Sequence, residues 1–326
     1  MPLELATRVL PVDRDAIAEA ARLLRGGGLV AFPTETVYGL GADAANGEAV
    51  ARLYAAKGRP AFNPLIAHVA EAAAARTLAR FNAAATRLAD TFWPGPLTLV
   101  LPKKPGCPVA ELATAGLDTI ALRVPAHPVA QGLLRAFDGP IVAPSANRSG
   151  HVSATTAAHV HADLDGRIDL IVDGGPAKVG LESTIVACLG DTPALLRPGA
   201  VAREAIERAL GLSLALARAV GEAPIAPGQL ASHYAPAAPL RLEATTVRPE
   251  EALLAFGLPL PSGAENSVKT LNLSARGNLI EAATNLFSHL RALDASGAEI
   301  IAVMPIPADG FGEAINDRLH RAAASR

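Results

Sequence analysis

Apolar and polar positions along this chain fall into blocks that read as strand, helix, strand. The pattern is densest between Gly28 and Ala70. There Leu29-Val30-Ala31-Phe32, with the glycines of Gly26-Gly27-Gly28 before it and Pro33 after it, predicts a short buried strand. A polar turn, Thr34-Glu35-Thr36, leads into Val37-Tyr38-Gly39-Leu40-Gly41. A helix follows, with Asn46 at the N-cap and Val50, Leu53 and Tyr54 on one face. Its end falls at Lys57-Gly58-Arg59-Pro60, where glycine suits a C-cap and proline prevents continuation. Pro64 to Val69 predicts a second strand. Strands joined by a helix, with hydroxyls and cations at the element ends, predict an α/β sheet with an anion-binding site.

The alternation continues. Asp13 or Asp15 caps a first helix that runs to Leu24, and residues 70–92 read as one alanine-rich helix stopped at Pro94-Gly95-Pro96. Strands are predicted at 97–101, 119–124, 141–143, 170–175 and 183–187, with helices at 128–137 and 155–164 and a loop over 102–116. A strand from Leu195 runs into a turn at Pro198-Gly199 and then a helix. Gly221 to Pro239 is punctuated by proline and reads as a linker. Beyond it, strands at 240–242, 268–273 and 299–305 alternate with helices near 249–257, 278–294 and 311–324. That order predicts a small βαβαβα domain with parallel pairing.

Composition narrows the class. A length of 326 residues suits two domains of ~100–200 residues each. With 50 % hydrophobic and 18 % charged residues, the chain has a substantial core and is not globally disordered. A net charge of −2 argues against a broad nucleic-acid surface, though it leaves room for a local basic cleft. An aromatic content of 4 % disfavours a platform for stacking single-stranded bases. Cys107 and Cys188 form no CxxC pair and read as small hydrophobes in a reducing compartment. The opening MPLELATRVLPVDRD lacks a signal-peptide pattern, and Ala209 to Ala217 is too short to cross a bilayer. A cytoplasmic chain without a membrane partner is expected.

Single residues allow two readings. Lys57 and Arg59 can complement the negative end of their helix, worth ~0.3–1 kcal/mol, or bind an anion. Thr34 and Thr36 suit a turn, and His68 suits a satisfied core position, as well as a ligand site. The segment PSANRSGHVS after the strand at 141–143 reads as a surface loop, or as a set of donors for phosphate or carboxylate. His159 and His161 lack partner ligands nearby and read as surface helix residues. No GxxxxGK[ST] loop occurs, and Gly39-Leu40-Gly41 lacks the third glycine of a dinucleotide fingerprint. Nucleotide binding therefore rests on cations and hydroxyls distributed over several strand ends.

The segments PTETVYGLGADA and KGRPAFNPLIAH closely resemble the YrdC-like domain of the L-threonylcarbamoyladenylate synthases. With LLRPGAV and PGQLASHYAP further on, nearly the whole chain resembles their longer, two-domain form; Gln229 stands where that family often has Met. The resemblance implies an open, twisted YrdC-like α/β sheet domain over 1–212, a linker acting as active-site lid over 213–238, and a smaller Rossmann-like domain over 239–326. It implies a nucleotidyltransferase that makes threonylcarbamoyl-AMP and pyrophosphate from L-threonine, bicarbonate and ATP. That product serves threonylcarbamoyladenosine modification of tRNA beside the anticodon.

By the same resemblance Lys57 and Arg59 grip phosphate, with Ser145 and Asn147 as the catalytic SxN pair. Asn63, Thr119, Ser153, Arg197 and Tyr234 join Arg59 and Ser145 around ATP, with His233 a weaker candidate. Thr36, His68, Arg123, Ser183 and the Ala143 backbone surround threonine. Mg²⁺ is expected with ATP rather than at a dedicated protein site. Downstream proteins that transfer threonylcarbamoyl to tRNA are the expected partners, without a stable nucleic-acid complex. Two other readings exist: an RNA-binding module of tRNA or ribosome maturation without adenylate formation, and a carbamoyl-transfer enzyme. The missing zinc-finger cysteines and accessory catalytic domains weigh against the last.

Overall fold

In the computed structural model, which describes residues 6–216 and 234–324, the chain divides into two units. The first contains described residues 6–149, 154–177 and 182–216; the second contains 150–153, 178–181 and 234–324.

The first unit opens with β1 (Arg8–Pro11) and α1 (Arg14–Arg25), which Asp13 caps by accepting the Ala16 N–H at 2.7 Å. Next, β2 (Val30–Pro33) and β3 (Tyr38–Asp43) form an antiparallel hairpin. Then α2 (Gly47–Lys57) runs from its Asn46 cap to Gly58, whose φ of 61° is the left-handed geometry that glycine adopts without strain. The chain continues through β4 (Ile66–His68), α3 (Ala72–Leu78), α4 (Ala83–Phe92) and β5 (Leu97–Pro102). After these come β6 (Thr119–Arg123), α5 (Pro128–Phe137), β7 (Ile141–Val142) and α6 (Ala157–Leu164). The unit closes with β8 (Leu170–Asp173), β9 (Thr184–Ala187), β10 (Ala194–Arg197), α7 (Arg203–Leu210) and β11 (Ala215–Leu216).

These strands form one mixed sheet in the order β1-β8-β2-β3-β7-β4-β6-β5-β9-β10-β11. The two-residue β7 lies between β3 and β4 and runs against both, so β3 and β4 point the same way. One hydrophobic cluster contains Leu40, Leu53, Leu88, Leu99 and Leu122; another packs Leu24, Phe32, Leu133, Leu134 and Phe137. Val50, Leu53 and Tyr54, placed on one face of α2 by their spacing, are all buried.

The second unit comprises β12 (Leu240–Arg241), β13 (Glu251–Ala255), β14 (Thr270–Asn272), α8 (Leu279–Asp294), β15 (Ile300–Val303) and α9 (Phe311–Ala323). Its strand order is β12-β15-β13-β14 and every pairing is parallel, as expected, although its described residues form four strands and two α-helices where the sequence pattern predicts a βαβαβα order. Tyr234 belongs to this unit. Its ring stacks on Phe287 of α8 at a centroid distance of 5.6 Å, and the buried Arg318 guanidinium of α9 lies 5.1 Å from its centroid.

Some elements differ from those read in the sequence. The segment near 249–257 is the central strand β13, not a helix. All five of its residues are buried, including Glu251, whose carboxylate accepts Arg241 Nε at 2.8 Å. A short apolar run buried between two neighbours adopts strand geometry despite the helix propensity of Glu, Ala and Leu. The alanine-rich stretch 70–92 is two helices: Ala79 is extended and bridges to Lys103, and Asn82 caps α4 by accepting the Ala85 N–H. The edge strands β1 and β11 carry too few residues for a periodicity to register. β11 lies inside the stretch read as linker and pairs in parallel with β10. Gln229 and His233 lie outside the described residues. Among the described residues no helix is long and apolar enough to cross a membrane.

Leu53 is fully buried on the helix that ends at Lys57. Leu53→Ala is expected to destabilise the first unit by about 2–5 kcal/mol. Urea unfolding followed by the fluorescence of Trp93, the chain's single tryptophan, reads that change.

Candidate active site

The end of α2 delivers Lys57 to a buried position. Its Nζ donates to the carbonyl oxygens of Ser145, at 2.6 Å, and of Asn147. The Asn147 side chain is buried and donates from Nδ2 to the Arg148 carbonyl at 2.8 Å. Arg59, just past the helix, donates from Nε to the Asn63 carbonyl at 3.2 Å and from Nη2 to the Pro64 carbonyl at 3.0 Å. The Tyr54 hydroxyl donates to the same Asn63 carbonyl at 3.0 Å. These bonds fix the turn but leave Asn63 Oδ1 buried with no hydrogen-bond partner among the described residues. An unmade buried bond costs about 1–3 kcal/mol, so this oxygen calls for a donor from water or from a ligand.

A second group forms around β6. β4 and β6 are parallel and pair His68 with Arg123. The Arg123 guanidinium donates from Nε to the Gly95 carbonyl at 3.2 Å, from Nη1 to Thr36 Oγ1 at 3.0 Å and from Nη2 to Glu35 Oε1 at 2.5 Å. Thr34 Oγ1 donates to the Val37 carbonyl at 2.6 Å, so at 2.8 Å it accepts the Thr36 hydroxyl hydrogen. The result is a directed chain from Arg123 through Thr36 and Thr34 to the backbone. Next along the sheet, Thr98 Oγ1 of β5 lies 2.8 Å from Ser183 Oγ. Arg197, at the end of β10, donates from Nη2 to the Ser183 carbonyl at 2.8 Å and to Ser183 Oγ at 3.3 Å.

Lys57, Ser145 and Asn147 are thus joined directly, as are Arg59 and Asn63, Thr36 and Arg123, and Ser183 and Arg197. Ala143 donates its N–H to the Ile66 carbonyl at 3.0 Å, and Gly39 of the β2–β3 hairpin bridges to Ser145. Thr119 is half-buried at the opposite end of β6 from Arg123. Four residue steps along the strand separate the two by roughly 13 Å. Ser153 and Tyr234 belong to the second unit, where the buried Ser153 accepts Arg291 Nε at its carbonyl at 3.4 Å. Sequence reading assigned no role to Glu35 or Thr98. Glu35 was visible only as the acid between two threonines of a turn, and Thr98 only as a hydroxyl inside an apolar strand.

Burial and the charge of Arg123 push the His68 imidazole down to about 3, against the smaller opposing effect of Glu35 and of the Ile66 and Ile141 carbonyls. His68 is therefore a neutral imidazole at physiological pH. Burial, followed by the charge of Arg59, holds Lys57 well below the usual lysine range, opposed by Asp163. Burial pushes the Glu35 carboxyl up, yet the Arg123 ion pair and two backbone N–H groups together keep it below its ordinary value. Among the described residues no group of three or more His, Cys, Asp or Glu is placed to hold a metal ion. A cleft of about 520 Å³ beside Val69, Leu78, Leu134 and Arg135 includes none of the candidate residues.

Lys57, Arg59, Arg123 and Arg197 are all buried, and each is held by backbone carbonyls or hydroxyls at the end of an element. Buried guanidinium and ammonium groups with nearby hydroxyls and amides are donors of the type that α/β proteins use for phosphate or carboxylate. Residues 22–199 match the family described as telomere recombination, and residues 201–324 match the threonylcarbamoyl-AMP synthase C-terminal domain. The chain is 42 % identical over 335 residues to the threonylcarbamoyl-AMP synthase of Bacillus subtilis strain 168, covering 98 % of this chain and 96 % of that one. It is 41 % identical over 331 residues to the threonylcarbamoyl-AMP synthase of Pyrococcus abyssi, covering 97 % and 96 %. The crystal structure of P. abyssi Sua5 complexed with L-threonine matches with a TM-score of 0.88 at 38 % identity, covering 97 % of this chain and 98 % of that one. The chain belongs to the threonylcarbamoyl-AMP synthase family, and its two α/β units have the fold that the sequence resemblance implied.

The neutral His68 has a consequence for stability. The unfolded imidazole titrates near 6.5 and the folded one near 3, so between these values the unfolded chain takes up a proton that the folded chain refuses. Stability is expected to fall as pH drops from 6.5 toward 3, by about 1.4 kcal/mol per pH unit from this group, with no contribution from it above that window. Urea midpoints measured against pH should follow a flatter curve in His68→Gln; an unaltered slope would contradict the buried neutral state.

Proposed function

We propose that this chain carries out the reaction for which its family is named. Threonine and bicarbonate give N-carboxy-threonine with loss of water. The new carboxylate attacks the α-phosphorus of ATP, and the bond to the β-phosphate oxygen breaks to release pyrophosphate and threonylcarbamoyl-AMP. Bringing a carboxylate to a triphosphate concentrates negative charge, so the site must supply cations and oriented donors before the chemistry begins. The observation that carries this reading is the pair of donor groups, one at the buried Lys57, Arg59, Asn63 and Asn147 with the half-buried Ser145, the other at the buried Thr36, His68, Arg123 and Ser183.

In the first group the cationic side chains are Arg59, beside Asn63, and Lys57, beside Ser145 and Asn147. An incoming polyphosphate opposes the desolvation that holds Lys57 low and so favours the charged amine. The unmatched Asn63 Oδ1 suits a donor of the nucleotide. Mg²⁺ arrives as part of the substrate, bound to the triphosphate, where hydroxyl and amide oxygens such as those of Ser145 and Asn147 suit its hard-ligand preference. In the second group Arg123 receives the threonine carboxylate. The uncharged His68 offers a hydrogen-bonding atom without adding a cation. Arg197 and Thr119 serve the nucleotide, Ser183 and the Ala143 backbone serve threonine, and the roles of Ser153 and Tyr234 toward ATP rest on the family resemblance. The product is a mixed anhydride that keeps the carbamoyl carbon activated, so a transferase acting on tRNA is the class of partner that consumes it.

Pyrophosphate release from ATP and Mg²⁺ is expected to require both threonine and bicarbonate and to proceed without tRNA. Release that ignores either one would refute the reading. Arg59→Ala should lower kcat/KM by about 10²–10³-fold, the usual cost of removing one transition-state donor. Trp93 fluorescence should stay unchanged. Full turnover in that variant would remove the phosphate assignment.

A further inference from the structure

Arg123 is 4 % exposed and all three of its nitrogens are placed. A guanidinium carries five N–H donors. Gly95, Thr36 and Glu35 take one each, from Nε, Nη1 and Nη2 respectively, which leaves one N–H on each terminal nitrogen. Two parallel N–H groups are what a carboxylate needs for bidentate binding. Consecutive residues of one hairpin turn, Glu35 and Thr36, therefore each engage one terminal nitrogen and leave one N–H on each.

Glu35 does more than pair with the cation. Its Oε1 accepts from Arg123 at 2.5 Å, and its Oε2 accepts the Ala126 N–H at 3.1 Å. The carboxylate thus ties the β2–β3 turn to both the guanidinium and the chain that leaves β6, and only 12 % of its side chain is exposed. Gln131 on α5 secures the same departing chain by donating from Nε2 to the Pro125 carbonyl at 2.7 Å. A buried cation without its counter-charge is strongly destabilised and seeks another partner, so removing Glu35 would release the orientation of Arg123 and not only its charge balance.

We propose that Glu35 is a positioning residue for substrate binding: it locks the Arg123 guanidinium so that its two remaining N–H groups present a bidentate face to the carboxylate of the amino-acid substrate. This rests on the reading that Arg123 receives the threonine carboxylate.

The test uses the full chain as wild type, Glu35→Ala and Glu35→Gln, with threonine and ATP varied separately in the pyrophosphate-release assay. Glu35→Ala is expected to raise the KM for threonine at least about tenfold, with the KM for ATP within about twofold and kcat at saturating threonine nearly retained. Glu35→Gln keeps one oxygen for Arg123 but loses the charge and the bond from Ala126, and its KM for threonine should fall between the two. Titration calorimetry of threonine into each protein should give the same ranking without turnover, and Trp93 fluorescence checks that each variant is folded. If Glu35→Ala does not fold, Glu35→Gln carries the test with the same direction expected. An unchanged KM for threonine, or parallel rises in both KM values, overturns the positioning role. Wild-type protein that releases no pyrophosphate in response to threonine overturns the proposed function instead.

Discussion

The bonds from the Lys57 amine to the Ser145 and Asn147 carbonyls join the end of a helix to a turn almost ninety positions later in the chain, with separations of 88 and 90 residues. The geometry of the site depends on them. A lysine at a helix terminus ordinarily extends into water; here Gly58 ends the helix with its last side chain directed inward, and the turn after β7 supplies the carbonyl acceptors. The SxN segment is thereby given its shape by the same side chain that its sequence pattern pairs it with. A buried amine held this way is costly in isolation and stable only while acceptors or anions surround it.

The group around Arg123 follows a different principle. Arg123 is neutralised by Glu35 and oriented by Thr36 and Gly95, so it is fixed in place before any substrate arrives. Pre-organised donors lose little freedom when a ligand binds. The two groups meet through the β2–β3 hairpin, whose turn holds Arg123 and whose Gly39 pairs with Ser145. One group therefore holds its cation against backbone carbonyls, while the other holds its own with an internal ion pair.

The short insertion of β7 makes this arrangement possible. By running against both β3 and β4 it places Ala143 beside Ile66 at the start of β4, and the turn that follows reaches Lys57 through Ser145 and Asn147. The second unit has its own parallel sheet and its own aromatic stack at Tyr234, with Phe287 on one side and the buried Arg318 beside it.

Much was legible in the linear pattern. Asn46 and Gly58 delimit α2 through local capping chemistry, and the spacing of Val50, Leu53 and Tyr54 sets its buried face, because these depend on neighbours within a turn or two. The unusual PTET, KGR and SAN segments carried the family and the candidate residues. Where long-range pairing decides, local pattern failed. Glu251 to Ala255 has helix-forming residues but is a central strand because β14 and β15 flank it, and residues 79–81 leave helical geometry because Ala79 pairs with Lys103. Likewise no spacing rule joins Glu35 to Arg123 across 88 positions or Thr98 to Ser183 across 85. Caps, faces and motif chemistry belong to the sequence by itself, since they arise from contacts near in the chain. Which strand lies beside which, and therefore which carboxylate steadies which arginine, is decided only when burial of the whole core sets the order of the sheet.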